Sequence, residues 1–129
     1  MEALKPLIDS LDDEDWDVRC NIVAALAALK DARAIEPLIA ALKKDQDNRV
    51  RMVIGGALSK FGAAAVEPLI GALKDQDWGV RLQAAYALGW LKDTRAVNAL
   101  TEALKDKDEH VRRAAEAALK NIQSTEQNK

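Results

Sequence analysis

Two landmarks recur together at a fixed period along this chain. Pro6, Pro37 and Pro68 are each 31 residues apart, and one more step of that length reaches Ala99. The second landmark, Asp-x-x-Val-Arg, occurs four times in register with the first. Its arginines are 32, 30 and 31 residues apart, at Arg19, Arg51, Arg81 and Arg112. A fixed period of this length predicts a stacked array of four repeats.

Each repeat contains two helical patterns. The first, helix A, carries apolar residues at i, i+3, i+4 and i+7, and its proline lies near the start, where the missing N–H costs little. The second, helix B, begins at the aspartate of the landmark, which we expect to act as N-cap. No strand pattern occurs in the sequence. We predict one all-α domain over residues 1–122, with repeats at about 1–34, 35–65, 66–96 and 97–122, and a frayed polar tail at 123–129.

Two positions of helix B, compared across the four repeats, predict where the array ends. We call the set of residues at one such position a column. One column is Val23, Gly55, Ala85 and Glu116, and the other is Ala27, Ser59, Gly89 and Lys120. A face that packs on a following repeat must be small and uncharged, whereas a terminal face must be compatible with water. We therefore expect the fourth repeat to be a C-terminal cap, and the array to be complete there.

Composition disfavours several classes of function. The net charge of −2 provides no broad positive field, so nucleic-acid binding is not expected. No apolar run is long enough to span a bilayer and no signal peptide is visible, so we expect a cytoplasmic protein. Cys20 and His110 are the only residues of their types, which leaves no disulfide and no convincing zinc site. We expect no cofactor, no metal and no catalytic residues.

The segment Val66–Asp75, with Val80-Arg81 and Ala87-Leu88-Gly89 after it, resembles the HEAT-like repeats named after phycobilisome lyases. The resemblance extends over residues 2–122. It implies a right-handed α-solenoid of four two-helix repeats, whose B helices line the concave face and bind partners. Trp16 and Trp78 depart from the class, which often has proline at that position. We interpret both as covering helix ends, with a contact at the rim of the binding groove as the alternative.

The implied concave face carries an aromatic pair, Tyr86 and Trp90, one helical turn apart. Small residues would form an apolar floor beside it, and amide or cationic side chains a polar rim. We interpret this surface as a binding site, because buried Trp and Tyr need polar partners. The alternative is that both rings fill the inner curve of the solenoid. The predicted partner-binding residues are Tyr86, Trp90, Gln83, Val53, Gly56, Lys60, Arg49, Asn21, Ala24 and Asn121.

The acids and arginines of the landmark are interpreted as a structural ladder. A catalytic site would occur once, whereas a set present in every repeat is what stacking requires. Each aspartate would cap its own helix, and each arginine would link neighbouring turns through carboxylates or carbonyls. Cys20 occupies the same helix B position as Met52 and Leu82, and this apolar company indicates a partly buried structural thiol. The ladder comprises Asp15, Arg19, Asp47, Arg51, Asp77, Arg81, Asp108 and Arg112.

These patterns favour a non-catalytic module that binds a protein or peptide partner on its concave face. The resemblance also supports an alternative, a bilin lyase subunit or another chromophore-handling factor. A bilin would need an apolar slot for its ring system and cationic side chains to bind its propionate groups. Arg49 and Lys60 are the strong cations on the predicted concave face. A DNA-binding HEAT-like protein is a third hypothesis, which the acidic composition disfavours.

Overall fold

In the computed structural model, which describes residues 4–127, the chain forms α helices joined by short turns and contains no strand within that range. The predicted α-solenoid is confirmed. The helices are α1 (Leu4–Asp9), α2 (Trp16–Leu29), α3 (Ile35–Lys44), α4 (Asn48–Ser59), α5 (Val66–Ala72), α6 (Trp78–Leu91), α7 (Val97–Ala103) and α8 (Glu109–Gln127). Odd-numbered helices are the A helices and even-numbered helices are the B helices.

The A helices follow the sequence period closely. α3, α5 and α7 begin at Ile35, Val66 and Val97, the first residues of the second, third and fourth predicted repeats. Each follows a short 3-10 turn, and the turns before α3 and α7 are capped by Asp31 and Asp93. Sharp reversals after the B helices use left-handed backbone, as at Gly62 with φ of 65°, which glycine adopts without a steric penalty.

The B helices form one closely packed row. α2 packs on α4, α4 on α6 and α6 on α8, with more extensive contact than the A helices make among themselves. Small residues allow this approach: a Cβ on Gly89 would lie 3.0 Å from the Cα of Ala118. Glu116 and Lys120 are exposed, as predicted for the outer face of the last helix pair.

Two sequence expectations about the ends of the array are wrong. The apolar stripe predicted for the first helix B includes Leu29, and the stripe predicted for the fourth helix A includes Leu104, but each of these side chains is 39% exposed. Each lies in a terminal repeat that has a neighbour on one side only. The tail expected to fray from Gln123 continues α8 as far as Gln127. Glutamine and glutamate favour helix, and no glycine or proline interrupts this segment. The last two residues of the predicted tail, 128 and 129, lie outside the described residues.

Arginines of the B helices link successive repeats. Arg19 donates from Nε to Asp45 (2.7 Å), and Arg81 donates from Nε to Asp106 (2.8 Å), each aspartate lying in the next repeat. Arg51 binds Asp77 with both Nη atoms. In the fourth repeat the arginine instead donates to a carbonyl of its own repeat, from Arg112 Nη1 to Asp106 O. These ion pairs lie between repeats and hold their relative positions.

The aspartates of the landmark cap three of the four B helices. The carboxylates of Asp47, Asp77 and Asp108 accept backbone N–H groups at the starts of α4, α6 and α8. The prediction is wrong for Asp15, which holds the N-cap position of α2 without a capping hydrogen bond from its side chain. The difference arises because the carboxylate of Asp17 accepts the N–H of Val18 instead.

Candidate binding cleft between the second and third repeats

The aromatic pair singled out in the sequence lies on the solvent side of α6. Tyr86 is 41% exposed and Trp90 is 54% exposed. Their rings stack with centroids 6.4 Å apart and planes inclined by 22°. Neither ring is buried, whereas the alternative, in which both fill the inner curve of the solenoid, would cover them. The two rings form an exposed apolar wall along one side of α6.

Beside this wall, a cleft opens between α4 and α6, with a volume of about 480 Å³. We call it the α4–α6 cleft. Most of its lining is apolar, and only a few polar groups reach it. A concave, mostly apolar site with a small number of polar groups is the usual form of a ligand-binding site. The cleft is lined by Asn48, Arg51, Met52, Trp78, Gly79, Leu82, Gln83, Tyr86 and Trp90.

The position of the cleft follows from the first turns of the B helices. At the junction of the first and second repeats, Arg49 lies over the ring of Trp16, 3.6 Å from its centroid. At the junction of the third and fourth repeats, His110 stacks on Trp78 with ring centroids 5.3 Å apart. Each pair fills the space between two successive helices.

The corresponding positions at the middle junction are Asn48 and Gly79, and both line the cleft. Their small side chains leave unfilled the space that a large pair fills at the other two junctions. Trp78 therefore has two contacts, since it stacks on His110 and also forms one end of the cleft. Trp16 and Trp78 lie between repeats, and Trp78 contributes to the rim of the cleft.

Gly79 also sets the path of Arg51. A Cβ on residue 79 would collide with Nη1 of Arg51, so glycine lets this guanidinium take its present position beside the cleft. Arg51 is 6% exposed, and its Nε has no hydrogen-bond partner among the described residues. The hydrogen bond from Arg51 lowers the pKa of Asp77, with support from the N–H of Gly79 and against the opposing effect of burial. The pair is therefore charged at neutral pH, and its charges compensate each other.

The predicted partner-binding residues divide into three groups. Tyr86, Trp90 and Gln83 line the α4–α6 cleft, where Gln83 is 7% exposed and lies in the floor, not on the predicted rim. A second, shallower depression of about 450 Å³ lies between α2 and α4. It contains four of the other predicted residues, Ala24, Val53, Gly56 and Lys60. The remaining three, Arg49, Asn21 and Asn121, line neither depression.

Met52, Leu82 and Asn48 line the cleft but were not assigned to a binding surface from the sequence, and Arg51 was assigned only to the ladder. Met52, which shares a column with Cys20, is 63% exposed. Cys20 and Leu82 are half-buried. Burial raises the pKa of the Cys20 thiol, with the carboxylate of Asp47 adding to the effect. This thiol is therefore less readily ionised than a free one.

Residues 4–127 lack two features that would change the class of site. No group of three or more His, Cys, Asp or Glu side chains in that range is arranged to hold a metal ion. None of its helices is both long enough and apolar enough to cross a lipid bilayer.

Comparison with known proteins identifies the repeat. The family model described as HEAT repeats matches residues 1–59 and again residues 54–120. The chain belongs to the HEAT-repeat family. No similar sequence was found among the curated proteins.

Three solved structures place this HEAT-repeat chain among related solenoids. Human deoxyhypusine hydroxylase is similar over 98% of this chain and 46% of its own, with 21% identity and a TM-score of 0.87, which shows the fold alone. The chain thus spans less than half of that enzyme. The complex of CpcE and CpcF of phycocyanin lyase from Nostoc sp. PCC7120 is similar over 90% of this chain and 79% of that chain, with 26% identity and a TM-score of 0.66. A designed armadillo repeat protein in complex with the peptide (KR)4 is similar over 93% and 64%, with 25% identity and a TM-score of 0.55.

Proposed function

We propose that this HEAT-repeat chain is a non-catalytic binding module that captures a protein or peptide partner on the solvent face of its B helices. The α4–α6 cleft is the main anchoring site. The observation that carries this proposal is the exposed stack of Tyr86 and Trp90 along an apolar cleft large enough for a partner side chain. Helical repeat solenoids commonly use such extended inner surfaces for binding.

The residue types in the cleft favour it over the rest of the surface as the main source of binding energy. Binding energy is concentrated in a few large residues, with Trp, Tyr and Arg over-represented, in pockets that exclude water. Trp78, Tyr86 and Trp90 are 45%, 41% and 54% exposed, so each has apolar surface that a partner could cover. The depression between α2 and α4, lined by Ala24, Gly56 and other small residues, offers a shallow surface along which a bound segment could continue.

A peptide library displayed on phage tests this proposal. Peptides selected on the wild-type chain are synthesised, and their affinities are measured by calorimetry against the Tyr86→Ala/Trp90→Ala double variant and against Trp16→Ala. Trp16 is a matched control, since it is a comparably exposed tryptophan that does not line the cleft. We expect the double variant to lose at least about 30-fold in affinity, given about 2 kcal/mol or more for a hot-spot residue. The control should lose little.

Circular dichroism of both variants must show unchanged helix content. Equal binding of the selected peptides by the wild-type chain and the double variant would place the binding surface elsewhere and refute the assignment of the cleft.

A second candidate function is that of a bilin lyase subunit. The likeness to the CpcE–CpcF complex, at 26% identity over 90% of this chain, is the observation that favours it. The apolar cleft could accept part of a tetrapyrrole, but the cations proposed for the propionates, Arg49 and Lys60, do not line it. Titration with phycocyanobilin tests this candidate. A shifted and saturable absorbance band supports it, and an unchanged spectrum at excess chain argues against it.

A further inference from the structure

The floor of the α4–α6 cleft contains a side-chain amide that makes no hydrogen bond within the described residues. Gln83 is 7% exposed and lines the cleft. A ligand that covered this amide without pairing with it would bind unfavourably, so a ligand that fills the cleft should hydrogen-bond it. The corresponding residues of the other repeats are Val53, Ala114 and the exposed Asn21, so a largely buried amide at this position occurs once in the array and is not a requirement of stacking.

Gly55 leaves room for the Gln83 amide in this position. Its Oε1 lies 2.8 Å from the point where a Cβ on Gly55 would be, which is closer than a methyl group would allow without a shift. The glycine in α4 therefore makes the space that the amide of α6 occupies. An amide in the floor of the cleft offers a donor and an acceptor to whatever enters it.

The charges of the cleft indicate what that ligand should be. Arg51 is the one cationic side chain in the lining, and both of its Nη atoms bind Asp77. Its Nε is buried from solvent, so it offers no accessible donor to a ligand. A carboxylate or an ammonium group would therefore enter an apolar site without an unpaired counter-charge, which is unfavourable. A neutral group with both donor and acceptor matches Gln83.

From these observations we infer that the cleft binds a large apolar side chain together with a neutral amide next to it, and that Gln83 hydrogen-bonds this amide. The ligand would be an internal Phe, Leu, Met or Trp of a partner segment, with its flanking main-chain amide against Gln83. A free C-terminal carboxylate at the same position would be disfavoured. This inference rests on the proposed function and specifies the partner chemistry.

The test uses two small probes, N-acetyl-phenylalanine amide and N-acetyl-phenylalanine, which differ in whether the terminal group is neutral or a carboxylate. Each is titrated into the ¹⁵N-labelled full chain and followed by ¹H–¹⁵N correlation spectra, with dissociation constants of the order of millimolar for ligands this small. The chains compared are the wild type, Gln83→Met, which keeps the length of the side chain and removes the amide, and Gln76→Met. Gln76 is an exposed glutamine outside the cleft lining and is the matched control.

We expect the wild-type chain to bind the amide probe several-fold more tightly than the carboxylate probe. Gln83→Met should weaken amide binding by about 3- to 10-fold, as expected for one or two neutral hydrogen bonds, and Gln76→Met should not. In the wild-type chain, the side-chain NH₂ signals of Gln83 should shift with the amide probe, a readout that does not depend on the variant folding. Equal affinity of the wild type and Gln83→Met, or tighter binding of the carboxylate probe, would overturn the inference.

The two proposals fail in different ways. If selected peptides lose affinity on the Tyr86→Ala/Trp90→Ala variant while neither probe shifts the Gln83 signals, the binding module stands and the inferred ligand chemistry is wrong. If the amide probe binds at Gln83 while the selected peptides are insensitive to the double variant, the cleft is a ligand site and the proposed docking of a partner on it is wrong.

Discussion

The ion pair between Arg81 and Asp106 provides a quantitative test of the ladder. Arg81 in α6 donates from Nε to Oδ2 of Asp106 (2.8 Å) and from Nη2 to Oδ1 (3.1 Å), across the junction of the third and fourth repeats. The two side chains are only 7% and 11% exposed. Burial raises the pKa of Asp106, but the bonds from Arg81 and from the N–H of Asp108 outweigh this, and the pKa lies below its usual value.

Replacing Asp106 with Asn keeps the shape of the side chain and removes its charge. Breaking a buried ion pair by removing one partner costs about 3–5 kcal/mol, since the other charge is left uncompensated. Here Nη1 of Arg81 keeps its bonds to the carbonyls of Asp75 (2.8 Å) and Gln76 (3.0 Å), and the Asn oxygen can still accept one bond. We therefore expect Asp106→Asn to lower the free energy of unfolding by about 2–3 kcal/mol. That is a large share of the roughly 5–15 kcal/mol typical of a domain.

Urea unfolding at neutral pH, followed by far-ultraviolet circular dichroism, measures this loss. The matched control is Glu109→Gln, which removes an ion pair of similar length with Arg113 (2.6 Å) whose side chains are 75% and 58% exposed. An exposed pair contributes less than about 1 kcal/mol, so the control should change little. If the two variants lose the same amount at equal m-values, the inter-repeat ion pairs do not stabilise the stack and the ladder interpretation is wrong.

Two further predictions concern the ladder in acid and the packing of the row. Arg51 lowers the pKa of Asp77 below its ordinary value of 3.8, so the stabilisation that the ionised Asp77 provides is present above pH 3.8 and is lost as the pH falls through the folded pKa. The urea midpoint should therefore drop less between pH 7 and pH 3 in Asp77→Asn than in the wild type, and an equal drop would contradict this. Gly89→Leu should lower the melting temperature strongly, because the new side chain would collide with Ala118 in the next B helix. Gly71→Leu is the control, since its position is open, and it should change the melting temperature little. Equal melting temperatures would show that the row of B helices tolerates larger side chains.

Periodicity predicted the parts of this structure that every repeat must supply. An A helix begins at each step of 31 residues, at Ile35, Val66 and Val97, because each repeat needs the same apolar stripe to cover its neighbour. The small columns were predictable for a related reason, since Gly55 and Ala85 must admit the next helix at short distance. A feature that is needed at every junction places similar residues at equivalent positions of several repeats, so one sequence is enough to detect it.

The α4–α6 cleft left no such signal, because it depends on which residues face each other across a junction. Trp16 contacts Arg49 and Trp78 contacts His110, so the two residues of each pair are 33 and 32 positions apart in the sequence. This separation is one repeat plus a small shift between the positions that face each other on neighbouring B helices. The shift depends on how the repeats stack, so neither residue of a pair indicates its partner by itself. Comparing the first turns of the B helices in pairs of successive repeats would have exposed the small middle pair.

The two ways in which the middle junction departs from the others have one cause. At Gly79 a missing side chain leaves the cleft open and also gives Arg51 its path to Asp77. At the flanking junctions the arginines Arg19 and Arg81 donate through Nε, whereas Nε of Arg51 has no partner. The middle junction thus has a less complete ladder of hydrogen bonds and a more open surface than the two flanking junctions. Because both flanking junctions are filled at the first turns of their B helices, the space for the proposed ligand at the middle junction comes from contacts that stacking gives up there.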